Sequence, residues 1–374
     1  MTLKLANITL TADHDMKETK RYFTKSILLW NKKKNKRLMP WKGEKDPYKI
    51  WLSEIILQQT RVEQGWDYYN RFITAYPNIE KLARSPEEKV FKMWEGLGYY
   101  TRCKNLIYTA RFIAKEKKGK FPDTYDEILA LKGVGPYTAA AIASFAFNLN
   151  HAVVDGNVFR VLSRFFGITS PVNSTEGKRI FTSLSNELLD KDQPGIYNQG
   201  IMDFGALICK PKNPLCTSCP LKTKCKARIN DLVHKLPVKD GKMIRKTRWF
   251  NYLVVENDHK VYVRKRGAKD IWENLYEFIL LESEQKLTAE NIKKTALFKE
   301  VFKKNGAELI RVSKIYRQHL THQTIEGSFI QVKTKKALLP GSYKAVSFKK
   351  LAKLPFPKFI TGYLAENDVM TFAG

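Results

Sequence analysis

The stretch LKGVGPYTAAAIASFAFNLNHAVVDGNVFR, residues 131–160, decides how this chain folds. It reads as the end of one helix, a Gly-x-Gly hairpin and the start of a second helix, with Asp155 some way beyond. Gly133 and Gly135 can adopt positive φ without the Cβ clash that other residues meet. The hairpin then exposes backbone N–H groups at the N-terminus of the next helix, where the helix dipole favours an anion such as a phosphate. Asp155 stands in VVDGNV, where an apolar run ends at a glycine turn. That position suits a lone carboxylate facing a cleft. The same residues also suit an ordinary αα-turn followed by an N-cap aspartate.

The charge balance agrees with an anionic partner. The 374 residues carry a net charge of +29, with a pI near 9.7. A balance this basic points to a polyanion such as nucleic acid. Residues 1–230 hold 38 Lys/Arg against 22 Asp/Glu, and the remainder holds 28 against 15. Basicity is therefore spread over both halves. A length of 374 residues with 43% hydrophobic content predicts two domains with real cores. No apolar run approaches the length of a membrane span, and MTLKLANITLTADHD lacks a signal-peptide plan. The expectation is a soluble, intracellular protein.

Four of the five cysteines, Cys209, Cys216, Cys219 and Cys225, lie within 17 residues, spaced C-x6-C-x2-C-x5-C. In an intracellular chain, clustered thiols point to metal rather than disulfides. Four thiolates suit zinc or an iron–sulfur cluster, and spacing alone leaves both open. Lys210, Lys212, Lys222, Lys224, Lys226 and Arg228 make this loop strongly basic, so it can present lysines to phosphates. Cys103 stands apart and reads as a packed thiol.

Residues 1–16 are expected to be a disordered tail. From Lys17 to about Asn230 the pattern is helical almost throughout, broken at Gly and Pro positions. Residues 231–247, polar and aperiodic, read as a linker. Residues 248–374 alternate as strands in WFNYLVVEN, KVYVRKR and TIEGSFIQVKT, with helical segments near 288–305 and 357–367. This half is α+β. A further helix opens after Asp46-Pro47 in PWKGEKDPYKIWLSEIILQQTRV. Trp51, Leu52, Ile55 and Ile56 share its inward face, while Glu54, Gln58 and Arg61 share another. A carboxylate beside amides suits base edges, although a solvent-facing Glu with ordinary helix neighbours fits the same pattern.

Taken together, residues 40–61, GLGYYTR at 96–102, GVGPYTAA, VDGNV and the cysteine loop resemble the adenine DNA glycosylase family. That family lies within the helix-hairpin-helix Gly/Pro-Asp superfamily of base-excision enzymes. The motifs occur in the same order and cover most of residues 20–230. The resemblance implies a mostly α-helical helix-hairpin-helix glycosylase domain at 17–230, with a [4Fe–4S] cluster held by Cys209, Cys216, Cys219 and Cys225 in loop 209–225. It also implies a smaller α+β, Nudix-like lesion-recognition domain at 248–374.

The resemblance further implies roles. Glu54 is the general acid and Asp155 the stabiliser of the sugar cation, with Tyr137 and Asn157 hydrogen-bonding near them. A desolvated pocket should raise the Glu54 pKa toward neutrality while Asp155 stays ionised. Trp41 and Leu57 line an adenine pocket; Gln199 stands where some relatives have Glu. Gln58, Gln59 and Thr60 probe the space that the extruded base vacates, and Tyr99 intercalates beside the lesion. Lys132, Gly133 and Gly135 grip the backbone. Bifunctional relatives carry a lysine where this chain has Tyr137, and tyrosine forms no Schiff base. The implied enzyme is monofunctional and removes adenine opposite 8-oxoguanine or guanine in duplex DNA. It is implied to work as a monomer in the bacterial cytoplasm, at the nucleoid, ahead of an abasic-site endonuclease.

In the C-terminal half, Gly267 and Glu273 match the opening of a Nudix box, but LESEQK at 281–286 lacks its Arg-Glu and Glu-Glu pairs. Pyrophosphate hydrolysis is therefore not expected. Leu320, Thr321 and His322 match a loop that in the family more often reads Phe-Ser-His. The hydroxyl and imidazole are kept and the aromatic ring is lost. Two rival readings exist. One is an endonuclease-III-like lyase, against which Tyr137 and the C-terminal half argue. The other is a non-catalytic iron–sulfur DNA-binding protein. It has no use for Glu54 and Asp155, since a carboxylate does not help to bind a polyanion.

Overall fold

The computed structural model describes residues 2–241, 245–302, 307–334 and 341–366; for residues 2–14 it describes the backbone alone. Met1 of the expected tail, residues 242–244 of the expected linker, residues 303–305 and 367 of the expected helices, and residues 306, 335–340 and 368–374 lie outside the described residues. The chain divides into two compact units. Unit 1 is Met1–Ala83 with Tyr108–Gly241, and unit 2 is Arg84–Ile107 with Lys242–Gly374.

Along the chain run α1 (Thr2–Lys34), α2 (Pro47–Leu57), α3 (Val62–Ala75), α4 (Ile79–Arg84), α5 (Glu87–Trp94) and α6 (Tyr100–Glu116). There follow α7 (Tyr125–Leu129), α8 (Pro136–Phe147), α9 (Gly156–Phe166), α10 (Thr175–Leu188), α11 (Pro194–Leu207) and α12 (Lys226–Ile229). Unit 1 is thus helical, as the periodicity predicts. Helix α1 begins well before the expected start at Lys17. The helix starts follow local chemistry. Asp46 caps α2 with Pro47 in the first turn, Thr124 caps α7, Asp155 caps α9 and Ser174 caps α10. Phe23, Ile27 and Trp30 of α1 pack on Val158, Val161, Leu162 and Phe165 of α9 and on Tyr197, Ile201 and Phe204 of α11.

Two expectations change here. Helix α2 ends at Leu57: Gln58 is its C-cap, Gln59 is left-handed at φ 57°, and Arg61 caps α3. Arg61 therefore does not continue the face of Glu54 and Gln58, because the left-handed turn breaks the helical register. The segment expected to begin a linker at residue 231 is tied into unit 1. Leu236 is buried and accepts from Arg164 Nε, Val172 N donates to Val238 O, and Asn173 bonds Asp240 in both directions.

Unit 2 is a mixed sheet with helices. Its strands are β1 (Lys246–Asn257), β2 (Lys260–Lys265), β3 (Tyr276–Glu277), β4 (Ile279–Ser283), β5 (Ala307–Val312), β6 (Tyr316–His319), β7 (Gln323–Gly327), β8 (Phe329–Thr334) and β9 (Lys344–Ser347). Its remaining helices are α13 (Ala289–Lys294), α14 (Ala296–Phe302), α15 (Phe348–Leu351) and α16 (Lys358–Glu366). Strand β1 is central. It pairs antiparallel with β4 and parallel with β7 and then β8, while β5 and β6 extend the sheet beyond β8 and β7. The single expected strand TIEGSFIQVKT is therefore two, broken at Ser328. One sheet face packs Leu253, Val255, Ile330 and Val332 on Phe298, Val301 and Phe302 of α14. On other residues of the sheet Phe329 stacks on Tyr363 of α16, with ring centroids 4.0 Å apart. Among the described residues no helix is long and apolar enough to cross a membrane.

Candidate active site

Glu54 sits on the last full turn of α2 and is 5% exposed. Every residue from Ile50 to Ile56 of this helix is buried, so the solvent-facing alternative does not hold. Glu54 lines a cavity of about 180 Å³, whose other walls include Trp41, Lys42, Ile50, Phe145, Ile196 and Gln199. Burial, with a smaller contribution from the charge of Asp155, pushes the Glu54 pKa up to about 7. The Tyr137 hydroxyl, donated to Glu54 from the first turn of α8, pulls the other way. The Tyr137 phenol is itself held well above its ordinary range, first by burial and then by the two carboxylates.

Asp155 is both the N-cap of α9 and the second carboxylate of the site. Its Oδ1 accepts from the backbone N–H groups of Asn157 (2.9 Å) and Val158 (2.8 Å), and its Oδ2 from Asn157 Nδ2 (2.6 Å). Burial raises its pKa, while these donors and the nearby Arg160 guanidinium oppose the rise. All of these donors favour the ionised form. The N-cap reading and the functional reading of Asp155 are therefore the same geometry.

Several supporting residues had no motif to mark them. Arg160, on α9, donates to Asn157 Oδ1 (2.8 Å), Gly205 O (2.8 Å) and Cys209 O (2.6 Å), so one guanidinium joins the cysteine loop to the partner of Asp155. Gly205 permits this, because a Cβ there would come within 2.6 Å of Asn157 Cβ. Asn198, fully buried, accepts from Val153 N and donates to Ser144 Oγ and His151 O, which fixes the strand-like run into Asp155. Asp203 is 0% exposed and accepts from Asn35, Arg37 and Lys42, which anchors the segment that brings Trp41 and Lys42 to the cavity. Nothing in the sequence singled out Asp203, which lies four residues after Gln199 on α11.

The remaining expected residues fall in four places. Trp41 and Gln199 line the cavity with Glu54; Leu57, at the end of α2, is not among its lining residues. Gln58 Nε2 donates to Thr138 Oγ1 of α8 at 3.2 Å, and Thr60 N donates to Leu57 O. Lys132, Gly133 and Gly135 form the hairpin. Gly133 takes φ 85°, and Gly135 caps α8 without a side-chain hydrogen bond. In unit 2, Tyr99 is left-handed at φ 49° and 45% exposed, and its hydroxyl lies 2.6 Å from Thr321 Oγ1. Leu320 is half-buried and His322 exposed in the same loop. Glu273, the apparent Nudix residue, is engaged by Lys104 at 2.6 Å.

Cys209, Cys216, Cys219 and Cys225 are half-buried, and each lies within electrostatic reach of the other three. Burial pushes the Cys219 thiol up to about 12, with the other three thiols adding to the rise. Arg164 holds the loop through Lys210 O and Pro211 O and points a guanidinium nitrogen at Cys209 Sγ, 3.5 Å away. Among the described residues no three His, Cys, Asp or Glu side chains converge to hold a single metal ion. Four neighbouring thiols on one loop are a donor set that zinc or an iron–sulfur cluster can take.

A desolvated carboxyl group, a second carboxyl group held on a helix N-terminus and a Gly-x-Gly hairpin define the class. Residues 52–185 match the HhH-GPD superfamily base excision DNA repair protein family, and residues 251–366 match the NUDIX domain. A solved thermostable thymine-DNA glycosylase is 30% identical and superposes with a TM-score of 0.54, over 57% of this chain and 99% of its own. The chain is a DNA glycosylase, an enzyme that hydrolyses N-glycosidic bonds. An adenine DNA glycosylase of Buchnera aphidicola subsp. Baizongia pistaciae is 38% identical over 68% of this chain and 73% of its own length. One from Mus musculus is 39% identical over 55% of this chain and 41% of its own. The chain belongs to the adenine DNA glycosylase family.

Proposed function

We propose that this enzyme is a monofunctional glycosylase that removes adenine paired with 8-oxoguanine, or with guanine, from duplex DNA. The observation that carries the reading is Glu54, buried at the cavity with a pKa near 7 and a tyrosine, not a lysine, bonded to it. An extruded base enters the cavity and Glu54 donates its proton to N7 of adenine. Tyr137 occupies one carboxyl oxygen and so directs the proton-bearing oxygen elsewhere. The C1′–N9 bond then breaks, adenine leaves with its pair of electrons, and the Asp155 carboxylate offsets the positive charge on the sugar. Water adds at C1′ and loses a proton, leaving an abasic site. No amine is present at position 137 to capture the sugar and cut the strand.

The [4Fe–4S] cluster that we assign to Cys209, Cys216, Cys219 and Cys225 would supply a structural cross-link, not redox chemistry of the reaction. It would fix a loop whose lysines meet phosphates. Leu320, Thr321 and His322, with Tyr99, are the proposed readers of the opposite base. The proposed setting is a monomer acting on the chromosome in the bacterial cytoplasm, with an abasic-site endonuclease following. Glu54→Gln protein should bind 8-oxoguanine:A duplex within a few-fold of wild type and release adenine at least ~10²-fold more slowly in single turnovers. Near-normal release would remove Glu54 from its role.

A further inference from the structure

We propose that Tyr108 is a positioning residue that holds the Lys132 ammonium ready for a DNA phosphate. Lys132 lies at the tip of the hairpin, exposed, beside Gly133 at φ 85°. Helix α6 holds it twice. Thr109, 1% exposed, donates its hydroxyl to Lys132 O at 2.9 Å, which fixes the hairpin backbone. The neighbouring Tyr108 puts its ring under the Lys132 ammonium, with Nζ 4.4 Å from the centroid. Tyr108 is 53% exposed and Phe112, one turn on, is 37% exposed, so this face of α6 leaves two aromatic rings in water.

A lysine on a bare loop loses side-chain freedom when it grips a phosphate. Here the ring has already selected a direction for the ammonium. The ring covers one side of the nitrogen, and the N–H donors on the other sides are left for phosphate oxygens. The hydroxyl of Tyr108 has no part in this, because the attraction comes from the face of the ring. Loss of the ring should therefore cost affinity for any duplex, whatever its mismatch. The proposal rests on the reading of the hairpin as a phosphate grip.

The test is a double-mutant cycle on the full-length protein, with duplex affinity measured by fluorescence anisotropy at several salt concentrations. Lys132→Met should weaken binding and lower the slope of log affinity against log salt by about one. Tyr108→Leu should weaken binding about two- to fivefold, and Tyr108→Phe, which keeps the ring, should restore it. The double variant Tyr108→Leu/Lys132→Met should bind no more weakly than Lys132→Met alone. If the two losses add, or if Tyr108→Phe is as weak as Tyr108→Leu, the inference is overturned while the hairpin reading stands. If Lys132→Met changes neither affinity nor slope, the hairpin reading fails and takes the inference with it. Tyr108→Gln, which removes the ring but stays polar, repeats the cycle if the leucine variant does not fold.

Discussion

Glu54 illustrates how one side chain can set both the pH profile and the stability of an enzyme. Its folded pKa of about 7 lies above the ordinary carboxylate value of 4.5. The folded state therefore binds the proton more tightly than the unfolded chain does. Its favourable contribution is complete below pH 4.5 and is lost as pH rises through 7. Two outcomes are expected. Single-turnover adenine release should fall as pH rises above about 7, as the acid form is depleted. Glu54→Gln, which never ionises, should gain stability over wild type at pH 8, by up to about 3 kcal/mol, and much less at pH 5. Chemical denaturation at the two pH values measures this; an equal difference at both would mean that Glu54 is not desolvated. The identities of Glu54 and Asp155 were legible in the sequence, because their neighbours form motifs. Their environments were not: α2 is buried nearly all round, so its pattern cannot mark which polar residue faces a cavity.

At the scale of an element, α9 does more than carry Asp155. Arg160 and Arg164 leave it one turn apart and engage the cysteine loop at Cys209, Lys210 and Pro211. Arg160→Met would strip donors from Asn157 Oδ1 and from the carbonyls of Gly205 and Cys209. It is expected to destabilise unit 1 by roughly 3 kcal/mol and to slow adenine release beyond any loss of folded protein, because Asn157 would no longer be held against Asp155. Thermal unfolding alongside single-turnover rates, corrected for active fraction, separates the two effects. A variant that loses stability but keeps its rate per active site would detach Arg160 from the chemistry. The cysteine spacing announced a loop that wraps something. The arginines that secure it gave no signal, since an Arg in an amphipathic helix looks like any other basic residue until α9 and α11 close over Gly205.

Across the whole molecule, the sequence predicted a helical part followed by an α+β part, and the chain has both. The division into compact units is less simple than the order of residues suggested. Arg84–Ile107, with Tyr99, groups with the C-terminal sheet, and residues up to Gly241 group with the helices. Such grouping depends on contacts between distant segments, which hydrophobic periodicity does not encode. One consequence is local to unit 2: Tyr99 and Thr321 meet there, although 222 residues separate them. Replacing Thr321 and His322 together with alanine should lower the rate on 8-oxoguanine:A about tenfold more than on G:A, the discrimination expected from one or two base contacts. Equal losses on both substrates would make unit 2 a general basic anchor, in keeping with its charge. Monofunctional adenine release is tested most directly by incubating wild-type protein with a duplex holding one 8-oxoguanine:A pair, analysed with and without hot alkali. The adenine strand should break only after alkali, and Tyr137→Lys should add some breakage before it. Strong breakage without alkali by wild type, or tight binding with no adenine released, would contradict monofunctional release.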